Sequence, residues 1–436
     1  MNLQYLSTER SAGKRASTGR LAAASAVGTT LEWYDFTVYN TLAALIFNRL
    51  FFPSFDPLTG TILAFSTYAV GYISRPIGGV VFGHLGDKLG RRFVLFVTLA
   101  IMGLTTGLMG LLPTYASGGI LSPILLVTLR FVQGVALGGE WAGAVLISVE
   151  HGDQEKRGRN ASFTQLGPAL GTLLAIGCIA LMTNLLSADE FLAWGWRIPL
   201  LSSLVLVGFG VWVRLGVDET PMFRELEESG AKAKTPIGDV VRLFLGRLLI
   251  AGGVRVGTDV LYALVAVFSL TYVTTVLKVP RTLALNAIMI GTIFDAAAIP
   301  LAGGLSDRIG RRPVYAAGAV LAMFWAFGFF ILADRANGIS IVTAVVIGFL
   351  THALMFGPQA AFVTEQFPTR VRYAGSSLAY TLAGIIGGGF APLAMASLLQ
   401  VYRTTTGISL YIEGTLCVTL VALLLARETA KRPLEE

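Results

Sequence analysis

The stretch "TLEWYDFTVYN" (30–40) puts Glu32 and Asp35 inside an otherwise apolar run. They have company. Arg75, Arg130, Glu140, Arg255, Asp259, Asp295, His352 and Glu413 also stand in strongly apolar surroundings. Ionisable groups in such places are expensive and usually face a bundle interior or a wet cavity. Two kinds of chemistry suit them. A carboxylate taken out of water favours its neutral, proton-bound form. An arginine offers a planar fork of donors that matches a substrate carboxylate. Asp35, Glu32 and Glu140 are therefore candidates for proton coupling, and Arg130 and Arg75 for substrate binding or switching.

The elements that must position these groups follow from composition. Of the 436 residues 54% are hydrophobic and only 14% charged, with a mean hydropathy of +0.70. Soluble domains carry about 25% charged residues, so this chain cannot cover a globular surface with polar groups. Twelve apolar stretches occur, at 21–47, 59–83, 93–113, 120–149, 160–186, 196–215, 247–277, 283–305, 313–333, 339–364, 373–400 and 405–426. Each has about the 20 residues needed to cross ~30 Å of hydrocarbon. Helix is the form in which such segments satisfy their backbones, so the expected fold class is an all-α polytopic membrane protein. A rise of about 1.5 Å per residue puts Glu32, Arg75 and Glu140 near the midplane, Asp35 about 5 Å further out and Arg130 roughly 13–15 Å outward. Arg255 and Asp259, spaced i,i+4, can neutralise each other or take part in binding. His352 can pack or titrate. Tyr34, Tyr39, Trp141 and Tyr262 are candidates to line a cavity or to pack.

Lysines and arginines fix the expected orientation. With the N-terminus inside, 24 of the 33 fall in inner segments and 6 in outer ones, which places both termini in the cytoplasm. The organisation expected is a tail at 1–20, a six-helix bundle at 21–215, a charged linker at 216–246, a second bundle at 247–426 and a tail at 427–436. The net charge of +7 is scattered between apolar segments, which fits membrane topology and not nucleic-acid binding. Cys178 and Cys417 form no disulfide or metal framework. No cleaved signal peptide is indicated. No cofactor, metal, nucleotide loop or nucleophile–base set is expected, so an enzyme is not.

The chain repeats itself. "GHLGDKLGRRFVL" (83–95) matches "GGLSDRIGRRPVY" (303–315) at an offset of 220, and Glu150, Arg157 and Ser162 match Glu365, Arg372 and Ser377 at 215. Two related halves with a site between them are expected. In the repeated loops Asp87, Arg91, Arg92, Asp307, Arg311 and Arg312 are placed to latch neighbouring helices at the inner face.

These loops resemble the signature of the major facilitator superfamily. "EWYDF" (32–36), "RPIGGVVFGHLGDKLGRR" (75–92), "RFVQGVALGGEW" (130–141) and "WGWRIP" (194–199) resemble its metabolite:proton symporters, and "SPILLVTLRFVQG" and "FLAWGWRIPLL" look closest to the bacterial shikimate transporters. The resemblance implies a monomer in the bacterial inner membrane, driven by the proton gradient and working by alternating access on a small carboxylate or zwitterion. Other members take dicarboxylates, 2-oxo acids, citrate, proline or betaine. A proline or betaine osmolyte carrier is the nearest rival, although the tail "ETAKRPLEE" carries no heptads. Proton-coupled efflux of a hydrophobic compound is another, because "GPALG" (167–171) resembles in part a motif of drug antiporters.

Overall fold

The computed structural model describes residues 18–89, 91–138, 145, 154–215 and 236–432. The described residues contain helix and no strand. Twelve main helical segments follow one another: α1 (18–51), α2 (57–89), α3 (Arg91–Leu111), α4 (Leu121–Leu137), α5 (Arg157–Leu185), α6 (188–215), α7 (Leu245–Val276), α8 (Arg281–Ile309), α9 (Arg311–Ala333), α10 (Gly338–Glu365), α11 (369–402) and α12 (Thr406–Leu425). Among the described residues, seven of them, α5 and α7 to α12, are long and apolar enough to cross a membrane, and α6 makes an eighth as a pair of helices bent by 46°. The expected linker lies largely outside the described residues.

Several spans read as continuous in the sequence are interrupted. α2 breaks at Ser74 because Pro76 has no N–H to give to the preceding turn. The break leaves Arg75 at the start of the next segment, Arg75–Leu89. π turns interrupt α1 at Ala43–Phe47, α7 at Ala263–Phe268 and α11 at Ile385–Gly389, a feature that often accompanies functional sites. The N-terminus of α2 is conventional. Pro57 takes the first position and Asp56 Oδ1 accepts from the amides of Leu58 (3.1 Å) and Thr59 (3.2 Å).

Helices α1–α6 and α7–α12 form two bundles. They meet where α5 packs on α8 and α10, and where α2 packs on α11. Under the sequence repeat α2 corresponds to α8 and α5 to α11, so the contacts obey a pseudo-two-fold axis. One apolar cluster runs through both bundles, from Phe36, Tyr39 and Tyr68 to Val260, Phe268 and Phe329.

Small residues set the approach of α2 to α4. A Cβ on Gly134 would lie 2.1 Å from the Gly71 carbonyl oxygen, one on Gly78 1.8 Å from that of Val135, and one on Gly138 1.9 Å from that of Arg75. The obstacles are backbone atoms, so neither helix can accommodate a methyl group without separating. This contact holds the α2 break beside Arg130 on α4.

At the end of the molecule carrying the repeated loops, the chain after α12 straps the helices together. Glu428 accepts from the amides of Arg311 (3.0 Å), Arg312 (2.9 Å), Thr429 (2.9 Å) and Ala430 (3.0 Å). It thereby caps α9, whose N-cap residue Gly310 has φ +109. Partial burial pushes the Glu428 carboxyl up, but the four amide donors outweigh it and hold it below the ordinary glutamate range.

Two outcomes are expected. Gly134→Ala should cost about 1–3 kcal/mol through overpacking, read as a lower unfolding temperature in detergent. For Glu428, a depressed folded value stabilises the protein above the ordinary value of about 4.3 and loses that contribution as pH falls through the folded value. The stability gap between the native protein and Glu428→Gln should be constant near neutrality and close on acidification below about pH 4; a gap unchanged at acid pH would contradict the cap.

Candidate functional site

A narrow cleft, tightly closed by side chains, lies between the bundles. Glu32, Trp33, Phe36, Arg75, Leu137 and Gly138 come from the first bundle, and Ser377, Tyr380 and Thr381 from α11 of the second. Arg75 is 3% exposed. Its guanidinium carbon stands 3.9 Å from the Tyr72 ring centre and 4.7 Å from that of Phe36. Its Nε has no hydrogen-bond partner, and no carboxylate among the described residues pairs with it. Stacking on aromatic faces compensates a cation only in part, so its polar fork remains available to the cleft.

Arg130 is fully buried next to it. It shares the Phe36 ring, at 4.3 Å, and lies 4.1 Å over Tyr39. Its Nη1 donates to Gln133 Oε1 (2.5 Å) and its Nη2 to Asn40 Oδ1 (3.2 Å). Gln133 Nε2 donates in turn to Thr106 Oγ1 (2.7 Å). Thr106 also stands beside the Asp35 carboxylate. Ser203 donates to Asp35 Oδ1, and Asp35 Oδ2 has no hydrogen-bond partner. Asp35 and Arg130 do not form the direct carboxylate–arginine pair that charge alone suggests; Thr106, which gives its own hydroxyl to the Met102 carbonyl (2.9 Å), and Gln133 stand between them.

The other candidates divide between the cleft and the packing around it. Glu32 is on the cleft wall. Tyr34 is not; its hydroxyl donates to the Pro199 carbonyl (2.8 Å) and meets Ser202 Oγ (2.5 Å) inside the first bundle. The Tyr39 hydroxyl bonds to Thr67, which leaves its ring face to Arg130. Tyr262 crosses between the bundles to Thr172 Oγ1 (3.0 Å) and packs edge-on against Trp33. Arg255 and Asp259 neutralise each other, Nε to Oδ2 at 2.8 Å, with the guanidinium 3.2 Å above the ring of Tyr380 on the cleft wall. His352 lies in the second bundle, bonded to Asp295 at 3.1 Å. Glu140 and Trp141 lie outside the described residues.

Beyond the cleft the bundles touch at both ends. At one, Gln400 Nε2 donates to Thr59 Oγ1 (2.7 Å) and Thr271 Oγ1 to the Ala44 carbonyl (3.3 Å). At the other, Asp307 accepts from the amides of Gly158 (2.8 Å) and Arg159 (2.9 Å) at the start of α5, and from Arg311 Nη1 (2.7 Å). The positive N-terminal end of α5 suits that carboxylate. Glu365 joins Arg157 Nε (2.9 Å) to Arg311 Nε (3.3 Å), and Arg157 also reaches the carbonyls of Thr429 and Arg432. Arg312 uses its amide on Glu428 and its Nη2 on the Leu424 carbonyl (3.3 Å). The side chains of Asp87, Arg91 and Arg92 lie outside the described residues. Gln133, Asn40, Thr106, Ser203 and the tail were not among the candidates. Asn40 and Gln133 are amides in apolar spans and carried a signal; the hydroxyls and the tail carried none that separates them from their many equivalents.

Comparison with known proteins agrees with this geometry. The family model of the Major Facilitator Superfamily matches residues 26–392. An inner membrane metabolite transport protein of Escherichia coli is 36% identical over 96% of both chains, and the shikimate transporter of Escherichia coli is 38% identical over 88% of both. The proline/betaine transporter of Salmonella typhimurium is 32% identical over 94% of this chain and 84% of its own. A solved structure of the xylose transporter from E. coli, in a partially occluded inward open conformation, superposes with a TM-score of 0.74 at 19% identity, covering 96% of this chain and 99% of the other. The fold, the cleft between paired bundles and the matches along nearly the whole length lead to one conclusion: this chain belongs to the major facilitator superfamily and is a multi-pass membrane transporter, not an enzyme.

Proposed function

We propose that the protein is a proton symporter for a small organic acid, working by alternating access in the bacterial inner membrane with both termini in the cytoplasm. Arg75 carries this reading. A buried guanidinium without a carboxylate partner among the described residues stands on the wall of a cleft between the bundles. Leaving a charge uncompensated in a low-dielectric interior is costly, and a substrate carboxylate supplies the missing charge in the geometry a guanidinium favours. Ser377, Thr381 and Tyr380 face it across the cleft and suit the hydroxyl groups of a shikimate-like acid. The relatives that transport shikimate and other metabolites support this class of cargo.

Asp35 is the proposed proton carrier, with Glu32 and Glu140 as further members of the layer. Protonation of Asp35 removes its demand on Ser203 and the negative charge beside Thr106, whose partner Gln133 holds Arg130. Arg130 senses the proton and Arg75 holds the substrate. Asp307, Arg311 and Arg312 act with Arg157 and Glu365 as the cytoplasmic gate, with Asp87, Arg91 and Arg92 as the equivalent elements of the first bundle. The second reading is a zwitterionic osmolyte, favoured by the proline/betaine relatives and by Glu32 on the same wall as Arg75, where it would receive an ammonium group.

Uptake into proteoliposomes under an imposed pH gradient tests these roles, with shikimate, 2-oxo acids, dicarboxylates, citrate, proline and betaine as cargo. Arg75→Gln is expected to raise KM about 10–100-fold, the loss of a charge-assisted contact, and Arg75→Lys to recover part of it. Preference for proline or betaine over every carboxylate would select the osmolyte reading. Asp35→Asn is expected to abolish accumulation driven by the pH gradient while retaining exchange of labelled for unlabelled cargo. Undiminished accumulation in that variant would remove Asp35 from the coupling role.

A further inference from the structure

One buried titratable pair has no part in the scheme above. Asp295 sits at the middle of α8 and His352 at the middle of α10, each 2% exposed. Asp295 Oδ1 and His352 Nδ1 are 3.1 Å apart, and neither side chain has another hydrogen-bond partner among the described residues. The imidazole stacks on Phe356 at 4.7 Å and packs against Tyr262 of α7 at 5.5 Å. Tyr262 is the titratable group facing the pair from α7, and the cover from α5 is apolar, with Leu166 packed against Ile299, Ala353 and Phe356. No lysine or arginine among the described residues pairs with Asp295.

The location is informative. Asp295 follows Arg75 by 220 residues, the offset that separates Asp87 from Asp307. His352 follows Leu137 by 215, the offset that separates Glu150 from Glu365. Arg75 and Leu137 both line the cleft. The pair therefore occupies, in the second bundle, the places that form the substrate wall in the first.

Charge accounting gives these places a task. An ionised carboxylate beside a neutral imidazole leaves a net negative charge in the interior, which is strongly unfavourable. One bound proton makes the pair neutral overall, whichever of the two groups holds it. The closed structure buries the pair beneath α5, a helix of the opposite bundle. Any movement that parts α5 from α8 and α10 admits water, and the charged form then becomes affordable. We infer that Asp295 and His352 form a second proton-binding site, loaded when the bundles are closed and unloaded when α5 withdraws, so that each cycle carries a proton in addition to the one on Asp35. This rests on the symport reading above.

Two measurements separate the inference from that reading. In the full-length protein labelled with ¹⁵N-histidine, the His352 resonance is identified by its loss in His352→Gln. Its titration midpoint is expected to shift in Asp295→Asn relative to the native protein; an identical midpoint in both would overturn the inference and leave the symport reading intact. In proteoliposomes with shikimate as the probe, Asp295→Asn, which leaves an imidazole that is neutral without a proton, should lose one coupled proton, whereas His352→Gln leaves a carboxylate that still needs one and should keep it. The loss appears as an accumulation ratio about tenfold lower per pH unit of gradient, with uptake still gradient-dependent. Gradient-driven uptake with an unchanged ratio in Asp295→Asn would sink the second site. Absence of gradient-driven uptake of all six cargoes by the native protein would instead sink the symport reading, while the histidine titration would still report on the pair.

Discussion

Charge inside this protein must be compensated locally, because hydrocarbon and packed side chains offer no water to do it. Most of the buried ionic groups obey that constraint in a recognisable way. Arg255 takes Asp259 one turn along the same helix. Arg311 and Arg157 share Glu365. Arg130 takes the amide oxygens of Gln133 and Asn40 and aromatic faces, with its Nε left without a hydrogen-bond partner. Arg75 stands on the cleft wall, with aromatic faces and an Nε without a hydrogen-bond partner. On the proposed function, that position supplies binding energy realised only when cargo is present.

The same constraint explains the layout of the bundles. Breaks in regular helix fall beside the charged layer. Pro76 interrupts α2 next to Arg75, and the π turn at Ile385–Gly389 follows the α11 residues that face it. Each break frees backbone groups and bends a helix, and both are tolerated where neighbouring elements or a wet cleft satisfy them. The glycine contacts between α2 and α4 then fix the spacing of Arg75 and Arg130 by backbone against backbone. Side-chain packing alone would allow more play.

Contacts at the two ends of the cleft differ in chemistry. One end is closed by single neutral hydrogen bonds from Gln400 and Thr271. The other is closed by a network of three carboxylates, three arginines, the N-terminus of α5 and the strap after α12. Networks of charge-assisted bonds are stronger than neutral contacts and break cooperatively. On the proposed alternating-access cycle, the asymmetry would give the charged end the sharper switch between closed and open and tie that switch to residues far from the midplane.

Much of this was legible in the sequence. Apolar length and low charge specify spanning helices, because a continuous apolar segment of about 20 residues satisfies its own backbone in hydrocarbon only as a helix. The repeated Gly–Asp–Arg loops specify two related bundles. Depth arithmetic brings Glu32 and Arg75 to a common layer, and both do line the cleft. What tertiary structure alone decided is partnership. Helical spacing shows that Arg255 reaches Asp259, a local matter. It does not show that Asp35 meets Ser203 of α6, that Gln133 stands between it and Arg130, that Asp295 finds His352, or that Glu428 caps α9. Those pairings depend on which faces of separate helices turn toward each other. Relative rotation of helices is set by packing across the whole bundle, and no local pattern along one chain segment encodes it.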